Sequence, residues 1–192
     1  MKAQSLPDGL LPLSAEHEAL FFRFHQQLAC ADWCYCVAWW VPDWTGWGER
    51  SADQNRSLRQ SLFAEGIFDG YFWIENGEPV AWCQVAPRGS WPKLMRQFEL
   101  QEEPGGWALG CFLIPPAQRG RGLARVLLKG VLADLRRRGV AFVEAFPKQS
   151  ADLAEEDLWN GPLSLFLELG FEKLKEVGDR AVLRLRLDST CS

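Results

Sequence analysis

The residues with the clearest chemical meaning are Arg119-Gly120-Arg121-Gly122-Leu123-Ala124, preceded by Ile114-Pro115-Pro116-Ala117-Gln118. An apolar run from Trp107 to Ile114 leads into them, and an amphipathic run from Leu123 to Arg138 leads out. A strand therefore ends in a glycine-rich turn that opens a helix. The first backbone N–H groups of a helix have no internal partners, and the helix dipole is positive at that end. Glycines at 120 and 122 let the backbone approach a bulky anion closely. The chemistry implied is the cradling of a diphosphate. Two other phosphate patterns fail. A Walker A loop needs a Lys-Ser/Thr pair that the turn lacks, and in a dinucleotide fingerprint begun at Gly120 the third glycine would fall on Arg125.

Charge supports a phosphate-rich ligand. The segment from Arg119 to Arg138 carries Arg119, Arg121, Arg125, Lys129, Arg136, Arg137 and Arg138 against the single acid Asp134, in a chain of net charge -4. Such a local basic segment suits a small phosphate-bearing ligand better than a nucleic acid, which asks for a wider basic footprint. Arg136 to Arg138 precede Gly139 and fit a helix C-terminus. Arg119 and Arg121 are kept for the ligand, and Arg125 and Lys129 fit either role.

Other reactive side chains are less sharply patterned. Cys30, Cys34 and Cys36 form C-x3-C-x-C, which lacks the fourth ligand of a zinc site unless Cys83 or Cys111 folds near them. Buried thiols are the plainer reading, and no metal is expected. His17 and His25 stand eight apart, too far along one helix to share an ion, and read as packing or surface residues. Of ten tryptophans, Trp33, Trp39, Trp40, Trp44 and Trp47 crowd one segment. They build either a bulky satellite core or an aromatic wall for an apolar or cationic acceptor. Glu99, Glu102 and Glu103 are solvated acids or readers of a cationic substrate.

The elements that must position these groups follow from periodicity and turn signals. Residues 1–14 read as a leader, 15–187 as one domain and 188–192 as a tail. Ala15 to Ala31 has helical spacing, and Cys34 to Val41 is apolar and β-leaning. Ser51 with Gln54 is a capping box for a helix to Ala64. Asn76-Gly77 turns a hairpin between Gly70–Glu75 and Pro79–Ala86. Pro87 to Gly106 is a long polar excursion. Strands follow at Trp107–Ile114 and Val140–Phe146, a short helix at Pro162–Leu169, and a last hairpin around Gly178-Asp179. The fold class is a mixed α/β sheet with a single βαβ crossover. Length suits one domain, and the 47% hydrophobic and 24% charged shares are ordinary. No apolar run is long enough to span a membrane, and no signal-peptide stretch opens the chain, so the cytoplasm is the expected address.

This order, with R-G-R-G-L-A after its strand, resembles the GNAT N-acetyltransferase superfamily across residues 15–187. The loop fits that superfamily's R/Q-x-x-G-x-G/A signature. Leu163-Ser164-Leu165-Phe166-Leu167-Glu168-Leu169-Gly170-Phe171 looks like its late helix, and Glu75-Asn76-Gly77-Glu78 like its central hairpin. The segments around Cys34-Tyr35-Cys36, Val85-Ala86-Pro87-Arg88, Cys111-Phe112 and Val143-Glu144-Ala145-Phe146-Pro147 look like a narrower subgroup, a match that supplies no substrate.

The resemblance implies a mostly antiparallel GNAT sheet and acetyl-CoA as co-substrate. The diphosphate would sit on Arg119, Gly120, Arg121, Gly122, Leu123 and Ala124. The pantetheine arm would run along Phe112, Leu113 and Ile114, with Phe166 beside it. The acetyl group would pass to an amine, a small molecule by expectation, through a tetrahedral intermediate. An alkylamine is neutral in only about one molecule in a thousand at pH 7, so a base or a proton path is needed. Glu144, in an otherwise apolar strand, is the candidate base, with a satisfied structural carboxylate as the other reading. Phe166 occupies the position of the family's acidic tyrosine and has no proton to give. Tyr35, Trp39, Tyr71 and Trp82 are candidates for the acceptor side. A homodimer is compatible with the chain; nucleic-acid and membrane partners are not expected. The alternative function is an acyl-CoA-binding module without turnover.

Overall fold

The computed structural model describes residues 6–28, 31–150 and 155–187, with 155–157 by their backbone alone. In chain order the elements are β1 (Gly9–Pro12), α1 (Glu18–Gln26), α2 (Ala31–Cys34), α3 (Ala52–Ala64), β2 (Gly70–Glu75), β3 (Glu78–Pro87), α4 (Pro92–Gln97), β4 (Gly106–Leu113), α5 (Leu123–Arg137), β5 (Phe142–Ala145), α6 (Leu163–Glu168), β6 (Glu172–Val177) and β7 (Arg180–Arg186). The strands form one sheet in the order β1-β2-β3-β4-β5-β7-β6. Only β4 and β5 run parallel, and α5 is the crossover between them.

Local chemistry explains most of these elements. Ser51 accepts from the Gln54 backbone N–H at 3.2 Å while the Gln54 side chain accepts from the Ser51 N–H at 2.8 Å, which starts α3. Asn76 and Gly77 both take positive φ, the geometry a two-residue hairpin requires. In α5, Leu127, Leu128, Val131, Leu132 and Leu135 face inward at helical spacing. They cover one face of the sheet together with Leu109, Val143 and Phe166. The other face is covered by Phe21, Phe24 and Phe63 of α1 and α3, and further along by Trp39, Trp91, Leu94 and Phe98.

Two segments differ from their sequence reading. Gly9–Pro12, within the stretch read as a leader, pairs with β2 as an edge strand. Four residues ending in proline carry too little pattern to signal a strand, and proline is tolerated at an edge. Cys34 to Val41 is not a strand. After α2 the chain turns sharply, with Tyr35 and Cys36 at φ +44° and +51°. Their carbonyl groups accept from Arg59 and Gln84 side chains in place of a ladder. The Pro87–Gly106 excursion contains α4, which Pro92 opens over the buried Trp91.

Candidate functional site

The site begins where β4 parts from β5. Their pairing covers only Gly106–Ala108 against Phe142–Glu144, while β4 continues to Leu113 along β3. Opposite the Gln84/Val85 step, Leu109 and Cys111 are paired but Gly110 is skipped, which is a bulge. Gly110 is needed there for space. A methyl group would lie 2.8 Å from Gln84 Oε1 and 2.9 Å from Trp91 Cη2. The Gly110 carbonyl, on the parted edge, accepts from Asn160 Nδ2 at 2.6 Å. Beyond Ala108, β4 has no β5 partner among the described residues.

The turn after β4 has the geometry expected of an anion cradle. Gly120 and Gly122 both take positive φ, +74° and +75°, and a Cβ at either would meet nothing within 4 Å. They are glycines for conformation and for an open approach, not for packing. Gly122 is the N-cap of α5 and has no side chain with which to cap that end. The first turn of α5 thus lacks the usual capping acceptor. Beside them a groove of about 200 Å³ runs between α5 and α6, lined by Gly122, Ala124, Arg125, Pro162, Ser164, Leu165 and Glu168. The basic residues of the turn have protein partners. Arg119 Nε donates to the Ile114 carbonyl at 3.2 Å, Arg121 pairs with Glu75 at 2.7 Å, and Arg125 pairs with Glu168.

The remaining predicted residues fall into separate places. Leu123 is buried at the start of α5. Phe166 is fully buried, packed on Phe112 and Phe171 behind the groove. Tyr71 lies under the far end of α5, where its hydroxyl donates to Asp134 at 2.7 Å and accepts from Arg138 at 2.8 Å. With about 1.5 Å rise per helical residue, that is on the order of 16 Å from the turn. Burial and the Asp134 carboxylate push the Tyr71 phenol well up, so it stays protonated. Trp82 is a core residue wedged among Phe21, His25 and Phe72. Tyr35 is buried, with its ring against Phe22. Trp39 is the candidate nearest the parted strands. Its Cδ1 is 3.2 Å from where a Gly110 methyl would be, and its Nε1 is buried without a hydrogen-bond partner among the described residues.

Glu144 takes the structural of its two readings. It is completely buried. Arg88 donates to Oε2 at 3.0 Å, and Arg184 donates to Oε1 through Nε at 3.1 Å and through a terminal nitrogen at 2.6 Å. Both its oxygens are thus committed to guanidinium groups. Glu103 joins the same cluster at 2.9 Å from Arg184, so it is not a free reader of substrate. Glu99 stands 3.9 Å from Lys175. The cluster C-x3-C-x-C includes Cys30, which lies outside the described residues. Among those described, no group of three or more His, Cys, Asp and Glu side chains is placed to hold a metal ion. No helix among them is long and apolar enough to cross a membrane.

Sequence reasoning missed Gly110, Asn160, Arg88 and Arg184. An isolated glycine inside an apolar strand is a bulge signal, so Gly110 was within reach. The other three act through contacts of high sequence separation and leave no local pattern.

A mixed sheet with one parallel pair that parts beside a glycine turn is the architecture of the GNAT acetyltransferases. Solved structures share it. A GNAT-family acetyltransferase from Desulfovibrio desulfuricans matches with TM-score 0.57 and 17% identity, over 93% of this chain and 98% of that one. The yncA acetyltransferase of Salmonella typhimurium with acetyl-CoA matches with TM-score 0.54 and 16% identity, over 95% of each chain. The aminoglycoside acetyltransferase AAC(6')-Ib in complex with coenzyme A gives TM-score 0.58 and 17% identity, over 93% and 94%. By sequence, no curated protein matches the chain. Residues 33–159, well over half of the chain, match the family described as Acetyltransferase (GNAT) family, and the protein belongs to it.

Proposed function

We propose that the protein transfers the acetyl group of acetyl-CoA to the amine of a small-molecule acceptor, by direct attack through a tetrahedral intermediate, in the cytoplasm. The observation that carries this is the start of α5, which no N-cap side chain caps, with Gly120 and Gly122 open to approach beside the groove between α5 and α6. In this reading the N–H groups of Gly120 to Ala124 hold the diphosphate, with Arg119 and Arg121 at its rim. Phe112, Leu113 and Ile114 present the strand edge to the pantetheine amides, and Phe166 supports that edge from behind. Trp39 lines the acceptor side, its indole N–H free to donate. Glu144 is not assigned as the base, because both its oxygens are committed to arginines. The amine proton leaves to water. A cytoplasmic address is in keeping with free thiols at Cys34, Cys36, Cys83 and Cys111.

The test is calorimetric titration with acetyl-CoA, then a screen of amines for release of free coenzyme A. Saturable binding followed by amine-dependent thiol release supports the reading. Phe166 at the acid position and the clamped Glu144 favour a second reading, a module that binds acyl-CoA without turnover. Binding with no thiol release for any amine would select it.

A further inference from the structure

Three consecutive residues, Trp159, Asn160 and Gly161, stand beside β4 where β5 has left it. They close the 3-10 turn Glu155–Asn160 and lead toward α6. The ladder between β4 and β5 ends at Ala108 and Glu144. Gly110 lies beyond it and is buried, so its carbonyl oxygen cannot turn to water and needs a donor. Asn160, itself 2% exposed, supplies one through Nδ2 at 2.6 Å. Gly161 takes φ +83°, and a Cβ there would lie 2.8 Å from Phe166 Cζ and 3.3 Å from Phe112 Cδ2. A glycine is what lets the chain press this closely against β4 and α6. Trp159 sets its ring 5.8 Å from that of Trp39.

The other end of the Asn160 carboxamide is held as well. Arg180, the first residue of β7, donates from Nη1 to Asn160 Oδ1 at 2.6 Å and to the Phe146 carbonyl at 2.9 Å. Its guanidinium also lies 5.4 Å from the centre of the Trp159 ring. A guanidinium only donates and a backbone carbonyl only accepts, so a single orientation of the amide serves both. The bonds form one chain, from the Gly110 carbonyl of β4, through Asn160 and Arg180, to the Phe146 carbonyl just past β5. The cation at one end polarises the amide and strengthens its bond to Gly110. Held by Gly110 alone, such a carboxamide would swing aside for an incoming ligand. Anchored at both ends and buried, it is a fixed spacer.

We propose that Asn160, braced by Arg180, is a positioning residue that spans the gap between β4 and β5 and fixes the bulge at Gly110. Asn160 touches no reacting atom and acts through the Gly110 backbone. A ladder bond to Gly110 would draw β5 in and shut the gap. No bond at all would leave a buried carbonyl unpaired and the bulge free to shift its register. The carboxamide gives the carbonyl its partner and keeps the strands apart. The effect on turnover rests on the acetyl-transfer reading, in which the thioester lies in that gap. The α5 turn and the spacer then have separate tasks: the turn holds the diphosphate, and the spacer sets where the acyl end comes to rest.

Asn160→Asp is the test variant, because it is isosteric. Its carboxylate keeps Arg180 but turns an acceptor toward the Gly110 carbonyl, where a donor is needed. The first measurement is amide hydrogen exchange, read by mass on the ligand-free full chain. The β4 peptide that includes Gly110 to Leu113 should exchange at least about tenfold faster, with β2 and α5 unchanged. The second is steady-state acetyl transfer to the amine that the screen identifies. The kcat per folded molecule should fall about tenfold or more, since small misplacements of reacting groups are costly. The KM for acetyl-CoA should stay within about threefold, because the turn that holds the diphosphate is untouched. Should Asn160→Asp fail to fold, Asn160→Ala, which brings no charge, carries the same expectations. Unchanged exchange in β4 would overturn the spacer. Faster exchange with the parent's kcat would overturn the positioning role. A parent without turnover would instead sink the acetyl-transfer reading and the positioning role with it, and the spacer would stand or fall by exchange on the ligand-free chain.

Discussion

On the α5 face of the sheet the polar groups sit at the rim. Arg121 with Glu75 and Arg125 with Glu168 are about half exposed or less, beside a groove that stays open. On the opposite face they sit at the centre. Arg59, His25 and Asp69 are 0% to 3% exposed, under α1, α3 and the tryptophans. The first arrangement leaves the helix start without a capping side chain. The second spends the Arg59 and Gln84 donors on holding the Tyr35 and Cys36 carbonyls beside β4, while Trp39, Trp82, Trp91 and Lys93 keep buried donors without partners among the described residues. The difference separates a surface that must receive a changing partner from one that must keep a strand in a single geometry.

If that contrast is right, the largest effect should come from the buried face. Arg59→Met leaves Asp69 without its guanidinium, frees the Tyr35 carbonyl and leaves the Cys36 carbonyl to Gln84 alone. Losing one partner of a buried ion pair costs about 3 to 5 kcal/mol. Denaturant unfolding should show that loss, with the acetyl-CoA affinity of the remaining folded protein nearly unchanged. A loss under about 1 kcal/mol would mean that the network is more hydrated than its burial implies.

The rim should answer differently. Gly122→Trp places a side chain where φ is +75° and the space is open. The left-handed strain costs about 1 to 2 kcal/mol of stability. Binding should suffer more, because the indole occupies the approach to the uncapped N–H groups. Affinity for acetyl-CoA should fall at least about a hundredfold, or roughly 2.7 kcal/mol, in calorimetry on protein shown to be folded. Unchanged affinity would move the cofactor away from this turn.

Glu144→Gln tests the boundary between the faces. The amide keeps some hydrogen bonds but drops the charge between Arg88 and Arg184, for a stability loss of about 1 to 3 kcal/mol. If Glu144 is structural, kcat per folded molecule and the pH profile of kcat/KM should be those of the parent. A collapse of kcat with the loss of the acidic-limb titration would restore it as the base.

What was legible in the sequence follows the same division. The turn at Arg119–Ala124, the Ser51 capping box, the Asn76-Gly77 hairpin and the Leu163–Glu168 helix are local, each fixed by a few residues in a row. They build the turn and helix that are proposed to hold the cofactor. The rest of the candidate site depends on pairs such as Arg59 with Cys36, Arg88 with Glu144 and Asn160 with Gly110. Their separations leave no periodic trace. Tyr71 and Trp82 misled for the same reason. Aromatic residues in the central hairpin are compatible with a ligand wall until the register turns Tyr71 toward α5 and packs Trp82 against Phe21.

Lys93 gives the smallest effect and the finest test of the buried face. It is 4% exposed, and its Nζ has no hydrogen-bond partner among the described residues. The ammonium lies 3.4 Å from the centre of the Trp44 ring and 5.5 Å from those of Trp39 and Trp47. Burial pulls it down to about 8, with Cys34 and Asp43 opposing. The folded pKa is therefore below the unfolded one, near 10.5. Between those values the unfolded chain binds more protons, so stability should rise with pH from about 8 to 10.5 and lose that gain as pH falls through 8. The three indole faces stabilise the cation and offset part of its desolvation, which leaves a gain on the order of 1 kcal/mol. Since cysteines and other lysines also titrate in that range, the measurement is the difference in unfolding free energy between the parent and Lys93→Met. Lys93→Met should be the more stable protein at pH 7, by an amount that vanishes above pH 10.5. If Lys93→Met is instead less stable at pH 7, the tryptophan cage outweighs desolvation, and the aromatic cluster is a cation site in its own right.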